Sequence, residues 1–202
     1  MSKISAVINT YNEENNIVNC LQTIDWVEEI ILVDTGSTDR TIEYARKFTK
    51  NIFIYSCCDY VEQVRNFGIN KAKNNWILII DADEILPVVS EKIIRNLIKN
   101  KSIDGYLFPR RNYINGTTYL KHGYFYPDYQ LRLFRNRSDI RYSSVIHEQP
   151  KIIKERTKLV PELEIIHNSS HSKYNAFSSF RRFFSYILIE GKDFAEKKDL
   201  NY

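Results

Sequence analysis

Short apolar runs recur along the first hundred positions: ISAVIN (4–9), EIILVD (29–34), NIFIYS (51–56) and WILIID (76–81). Helix-like segments separate them, roughly at 13–24, 39–49, 60–74 and 90–99. Strand, helix and strand at this spacing predict βαβ units, a parallel sheet and right-handed crossovers. The strands are apolar on both sides, which calls for helices on both faces of the sheet. Asp39 and Ser90 stand where helix N-caps are expected, because their side-chain oxygens can accept a first-turn N–H.

After residue 100 the rhythm changes. The stretch GYLFPRRNYINGTTYL reads as strand, loop and an Asn115-Gly116 turn, so a hairpin or an irregular lid is expected there. YQLRLFR alternates with period two, placing Leu131 and Leu133 on one face and Arg132 and Phe134 on the other. Short strands are expected within 140–167 and a helix over 173–191. The last of these carries Phe177, Phe180, Phe184 and Ile187 on one stripe, with basic residues such as Arg181 and Lys192 elsewhere. Such a helix docks on the sheet, pairs with another subunit or lies on anionic lipid. The fold class is α/β: a Rossmann-like, mostly parallel sheet flanked by helices, then a mixed, loop-rich region and a C-terminal helix.

Composition narrows the function more than the fold. The 202 residues are enough for one domain with a full core, and 43% apolar with 27% charged residues fits a globular protein. No stretch approaches the roughly 18 uninterrupted apolar residues of a spanning helix. The N-terminus runs straight into a strand pattern without a secretory h-region. A net charge of +4 is too small to argue for nucleic acid. The three cysteines, Cys57 and Cys58 adjacent, have neither a disulfide framework nor metal-ligand spacing, which points to a reducing cytosol.

The polar residues cluster at the strand exits. The first strand ends in Asn9-Thr10-Tyr11-Asn12-Glu13, the second in Asp34 followed by TGSTD, and the fourth in Asp81-Ala82-Asp83-Glu84. Ligands of open parallel sheets sit at these carboxyl ends. No GxGxxG and no GxxxxGK[ST] occurs, which weakens a dinucleotide dehydrogenase and a P-loop enzyme. Three acids against a low-dielectric strand need a counter-charge: a metal ion, an arginine or a helix N-terminus. With an extended backbone, Asp81 and Asp83 share a face with Cα atoms ~6.6 Å apart. That spacing favours divided labour, one carboxylate toward a ribose or water and the other on a cation that bridges a diphosphate. A divalent cation arriving with a phosphorylated ligand is therefore the expected counter-charge. Solvated acids at a plain strand-to-loop transition are the alternative.

The blocks SAVINTYNEENNIVNCLQTI, EIILVDTGSTDRTIEYA and QVRNFGINKAKNNWILIIDADEIL, in this order over residues 3 to about 90, resemble the family 2 glycosyltransferases of GT-A fold. YQLRLFRN, VIHE and IIHN further resemble a bacterial subgroup that includes lipopolysaccharide core enzymes and relatives that glycosylate peptides. The resemblance fades after about residue 170. Thr35 is a departure, since many relatives carry a second acid after the aspartate matched by Asp34.

The resemblance implies an inverting, metal-dependent glycosyltransferase of cell-envelope polysaccharide synthesis. Residues 1–202 would form one GT-A domain, with a donor half (1–100), an acceptor half (101–170) and a C-terminal helical extension (171–202). Thr10, Tyr11, Glu13 and Asp34 are implied as the nucleoside pocket and Arg65 as a donor-phosphate or base contact. Asp81 and Asp83 are implied as the DxD pair, the first near the ribose and the second on Mn2+ or Mg2+, with His167 joining the metal or the diphosphate. Glu148 is the expected base and Asp128 the runner-up, while His147 orients the base or contacts a phosphate. Arg132 and Arg135 neutralise the diphosphate or lie on an exposed strand face. The implied partners are a nucleotide-sugar, most simply a UDP-sugar, and a glycan, lipid-linked or peptide acceptor, with no nucleic acid. The implied place is the cytoplasm, with peripheral contact to the inner face of the cell membrane through the C-terminal helix. A sugar-1-phosphate nucleotidyltransferase would need a glycine-rich N-terminal loop where TYNEEN stands. A non-catalytic sugar-nucleotide binder would have no use for an acceptor base.

Overall fold

The four apolar runs become four neighbouring parallel strands. The computed structural model describes residues 2–55, 61–113, 118–119, 126–143 and 149–168. β1 (Ile4–Thr10), β2 (Glu29–Asp34), β3 (Ile52–Ile54) and β4 (Trp76–Asp81) lie in the order β3-β2-β1-β4. Register pairs Thr10 with Asp34 and Asn9 with Asp81, so the polar exits of three strands stand in one row at the carboxyl edge.

The later strands extend and reverse this sheet. β7 (Asp128–Arg135) runs antiparallel beside β4, and β6 (Gly105–Tyr113) antiparallel beside β7. β8 (Thr157–Leu159) and β9 (Ile165–Asn168) both pair parallel with β6. β5 (Glu84–Ile85) leaves β4 after a two-residue turn, yet pairs antiparallel with β9 at the far end of the path. The sheet therefore curls, bringing the exit of β4 and the end of β9 together.

Helices cover both faces, as apolar strands require. α1 (Ile17–Gln22), α2 (Thr41–Ala45) and α4 (Ser90–Leu97) bury Ile17, Cys20, Leu21, Ala45 and Ile94 in one cluster with Ile4, Ile8, Leu32, Trp76 and Ile80. α3 (Val61–Lys71) buries Val64 and Ile69 in the other, with Val7, Ile31, Val33 and Ile79. Each fully buried aliphatic or aromatic side chain contributes on the order of 1.5–3 kcal/mol. Gly68 lets α3 approach closely, since a Cβ there would lie 2.5 Å from Val7 Cγ1 and 3.0 Å from Val33 Cγ2. No helix among the described residues is long and apolar enough to cross a membrane.

The helices are shorter than their hydrophobic periods predict, because residues at both ends serve turns instead. Asp39 is one residue short of the cap: Arg40 takes that position, while Asp39 Oδ1 still accepts the Thr41 N–H at 3.0 Å. Ser90 does not cap either: its own N–H closes a turn on Pro87 O at 2.9 Å, and it becomes the first helical residue. The simple alternation expected of YQLRLFR is also broken. The β6–β7 ladder passes from Tyr106–Leu133 directly to Leu107–Leu131, leaving Arg132 as the extra residue of a bulge. Leu133 and Leu131 consequently join opposite core clusters, although the sequence reads them as sharing one face. The Asn115-Gly116 turn and the 173–191 helix lie outside the described residues.

Candidate active site

At the carboxyl edge, the exits of β1 and β2 are sewn together. Asn12, in the left-handed region at φ 52°, donates its N–H to Ser37 Oγ at 2.9 Å, and its Oδ1 accepts the Thr38 N–H at 2.8 Å. The Glu13 N–H reaches Thr41 Oγ1 at 2.8 Å and the Glu14 N–H reaches Asp39 Oδ2 at 3.1 Å. Asp34 is fully buried, and its Oδ2 accepts the Gly36 and Ser37 N–H groups at 2.9 and 2.8 Å, while Oδ1 accepts the Ser37 hydroxyl. Gly36, at φ 103°, permits that turn. Beside it, Thr10 Oγ1 and Asn9 Oδ1 are buried polar atoms without a hydrogen-bond partner among the described residues. Tyr11 stands 57% exposed, and Glu13 is buried, its Oε2 accepting from Asn16 Nδ2 at 2.7 Å. Thr10, Tyr11, Glu13 and Asp34 thus gather at one polar corner, where Asp34, fully buried, shapes the loop.

The acids at the β4 exit have guanidinium partners. Arg65 Nη2 on α3 lies 2.9 and 3.1 Å from the two Asp81 oxygens, and Arg132 Nη2 lies 3.2 Å from Asp81 Oδ2. Burial pushes the Asp81 carboxyl up, but Arg65 and Arg132 outweigh it and hold the group far below the usual carboxylate range. Glu84, with no exposure, binds Arg132 through Oε1, accepts the Asp81 N–H on Oε2 at 3.0 Å and stands 3.5 Å from Arg110 Nη1. Burial, with the Asp81 charge adding to it, pushes the Glu84 carboxyl up despite Arg132. Arg110 in turn grips Asp128, with Nη2 2.7 Å and Nε 2.9 Å from Oδ2. Charges of alternating sign therefore run Arg65, Asp81, Arg132, Glu84, Arg110, Asp128.

The sequence reading missed the middle of this chain. Of the two places expected for Arg132, the open strand face is ruled out: the side chain is 3% exposed, turned inward at the bulge and part of the cavity wall. Arg135, grouped with it, lies 3.2 Å from Asp104 and stacks 4.6 Å over Trp76. The signal was available: an arginine inside the apolar run LRLF must be paired if it is buried. Arg110 and Asn112 had no comparable signal.

Asp83 and His167 meet across the curl of the sheet. His167 Nε2 is 3.3 Å from Asp83 Oδ2, and β5–β9 register pairs Glu84 with His167. On the other side of the ring, His167 Nδ1 is 2.8 Å from Asn112 Oδ1. Asn112 Nδ2 points to Asp128 at 3.3 Å, so the amide oxygen is the atom that meets the ring, where it can accept an N–H from Nδ1. Nε2 is left to face the carboxylate. A carboxylate oxygen beside an imidazole nitrogen whose far N–H is fixed by an amide is the donor set of an oriented metal ligand pair. These two residues fit Mn2+ or Mg2+ with substrate and water oxygens completing the shell. Among the described residues no group of three or more such side chains gathers at one point.

A cavity of about 330 Å³ lies beside this network, lined by Arg65, Arg110, Arg132, Gln130, Tyr142 and Gln149 among others. Arg65 Nε and Arg132 Nε are buried without a hydrogen-bond partner among the described residues. Asp128 is held below the usual range: burial pushes it up, and Arg110, Gln130 and Asn112 more than reverse this. His147 and Glu148 lie outside the described residues; Gln149, the next residue in the chain, is part of the cavity wall.

Residues 5–184 match the family described as Glycosyl transferase family 2. The lipopolysaccharide core biosynthesis glycosyltransferase LpsC of Rhizobium meliloti is 29% identical over 121 residues, 57% of this chain and 45% of that protein. The chain spans less than half the length of the curated relatives it matches. Among solved structures, the mannosyltransferase PcManGT of Pyrobaculum calidifontis, in complex with GDP-Man and Mn2+, superposes with a TM-score of 0.64. It is 14% identical, over 87% of this chain and 59% of that one. TarS 1-349 of S. aureus, in complex with UDP-GlcNAc, gives a TM-score of 0.60 at 17% identity over 85% of this chain and 61% of that one. At these identities the likeness shows the fold, which is GT-A.

Proposed function

From the premise that the chain belongs to glycosyl transferase family 2, we propose that it transfers a sugar from a nucleoside diphosphate sugar to an acceptor hydroxyl with inversion. The observation that carries the reading is the pairing of Asp83 with His167 at the edge where the end of β1 leaves two buried polar atoms, Asn9 Oδ1 and Thr10 Oγ1, without partners among the described residues. Residues 1–202 act as one domain in this reading, donor half first and acceptor half after it.

In this reading Thr10, Tyr11, Glu13 and Asp34 hold the nucleoside. Thr10 Oγ1 and Asn9 Oδ1 are the atoms with bonding capacity to spend on it. Asp81 faces the ribose while remaining clamped by Arg65 and Arg132, and Arg65 offers its remaining N–H to the donor. Asp83 and His167 would hold Mn2+ or Mg2+, which when bound supplies Lewis-acid stabilisation of the departing diphosphate. Asp81 has guanidinium partners in place of a metal, so the DxD labour is divided: Asp81 orients, Asp83 ligates.

Displacement needs a base that takes the acceptor proton as the acceptor oxygen bonds to the anomeric carbon and the bond to the diphosphate oxygen breaks. Asp128 suits this poorly, because Arg110 and its hydrogen bonds lower its basicity. Glu148, one residue from the cavity wall, is the base in this proposal. The bound nucleotides of the two solved neighbours support a nucleotide-sugar donor, with uridine and guanosine as the bases to test first.

Calorimetry with UDP, GDP, ADP and dTDP tests the donor half. One nucleotide is expected to bind, more tightly with Mn2+ than without it. Equal absence of heat for all four would overturn the reading.

A further inference from the structure

Glu84 is the third acid at the β4 exit, and the proposed function gives it no direct contact with donor, metal or acceptor. It has no exposure, so it does not meet solvent. Its two oxygens are nonetheless divided between two tasks. Oε2 accepts the Asp81 N–H at 3.0 Å, fixing the backbone of the DxD turn. Oε1 binds Arg132, the guanidinium that also lies 3.2 Å from Asp81 Oδ2. The carboxylate thus grips Asp81 twice, directly through the main chain and through Arg132 at the side chain. The β5 strand that carries it places His167 directly opposite, so the same residue links the Asp81 side of the site to the Asp83–His167 pair.

We propose that Glu84 is a positioning residue for donor binding: through Arg132 and the Asp81 N–H it sets the aim of the Asp81 carboxylate. This rests on the reading of Asp81 as a donor-facing residue. Arg132 can serve only because the β7 bulge turns it inward, which makes bulge, arginine and glutamate one device. A buried arginine with two carboxylates around it has one stable placement, and Glu84 is the carboxylate no ligand can draw away.

Glu84→Gln keeps an acceptor for the Asp81 N–H and loses the ionic hold on Arg132; Glu84→Ala loses both. The test is calorimetric affinity for the nucleotide-sugar that wild type binds, for Glu84→Gln, Glu84→Ala, Arg132→Met and the Glu84→Gln/Arg132→Met pair. Circular dichroism checks folding, and the titration stoichiometry counts competent sites. Donor affinity per competent site is expected to fall about tenfold in Glu84→Gln and further in Glu84→Ala, within the 10–100-fold range of orienting partners. Because the two residues act as a unit, the double variant should lose about as much as Glu84→Gln alone. Where a single variant fails to fold, the double variant, with both buried charges gone, carries the test. Wild-type affinity per site in the folded variants, with only thermal stability lowered, would overturn the proposal, as would losses that multiply in the double variant. If wild type itself binds no nucleotide-sugar, the donor-site reading fails, a result distinguishable from equal binding by wild type and variants.

Discussion

Arg65 Nη2 lies 2.9 Å from one oxygen of Asp81 and 3.1 Å from the other. This pairing explains how an apolar strand can end in acids without a metal ion on each. Arg132 completes the arrangement from the opposite strand. The counter-charge of the first DxD carboxylate is therefore built into the chain, while Asp83 turns toward His167.

Arg132→Met should be strongly destabilising. It would leave Asp81 short of one partner and Glu84, at 0% exposure, without its closest cation. Breaking a buried pair from one side typically costs about 3–5 kcal/mol. Urea denaturation at neutral pH checks this; a midpoint unchanged from wild type would show that Arg132 is not the neutralising group.

Asn112→Ala should weaken the proposed metal binding without touching the corner formed by the β1 and β2 exits. Asn112 Oδ1 lies 2.8 Å from His167 Nδ1 and so orients the ring with Nε2 facing Asp83. Loss of such an orienting partner typically costs about 10–100-fold in metal affinity or activity. The half-saturating Mn2+ concentration for donor turnover is expected to rise accordingly. An unchanged value would remove His167 from the proposed ligand pair.

Asp128 governs part of the acid limb. Its folded-state pKa lies below that of an unfolded aspartate, so it adds stability above the unfolded value of about 3.9 and gives it up as pH falls through the folded value. Asp128→Asn should be less stable than wild type by about 1–3 kcal/mol at pH 7. The two should converge as pH falls below the folded value. Denaturant midpoints across this range decide it; a constant gap at every pH would contradict the ion pair with Arg110. Asp81 behaves with the same sign.

Gly68→Ala tests the seat of α3. The added Cβ would come within 2.5 Å of Val7 Cγ1, on the strand whose end carries Thr10. Overpacking of this kind costs about 1–3 kcal/mol. A lower unfolding midpoint is expected, and a neutral outcome would mean that the helix can shift away from β1.

The N-terminal half was legible because its signals are local. Runs such as WILIID announce strands by composition, and the polar blocks follow them directly, so Thr10, Asp34 and Asp81 were located at one edge from order alone. Register then confirms the row, with Thr10 opposite Asp34 and Asn9 opposite Asp81. The region after residue 100 was not legible in the same way. A bulge at Arg132 moves a side chain without altering hydrophobic composition, and period-two reading assumes that no residue is extra. The meeting of β5 with β9 depends on the curl of the whole sheet, so Asp83 and His167 could be named singly, each by resemblance, while their contact could not. Glu84 was conspicuous as a third acid, but its partners Arg132 and Arg110 lie on strands that only the tertiary fold brings near.

The most direct test of sugar transfer is nucleoside diphosphate release from UDP-, GDP-, ADP- and dTDP-sugars with a panel of hydroxyl acceptors. It is run with and without Mn2+, for wild type and Asp83→Ala. The account predicts metal-dependent release from one donor, dependent on an acceptor for full rate and reduced at least about 10-fold in the variant. Release that proceeds equally without metal, or equally in Asp83→Ala, would contradict the proposed division between an orienting Asp81 and a metal-ligating Asp83.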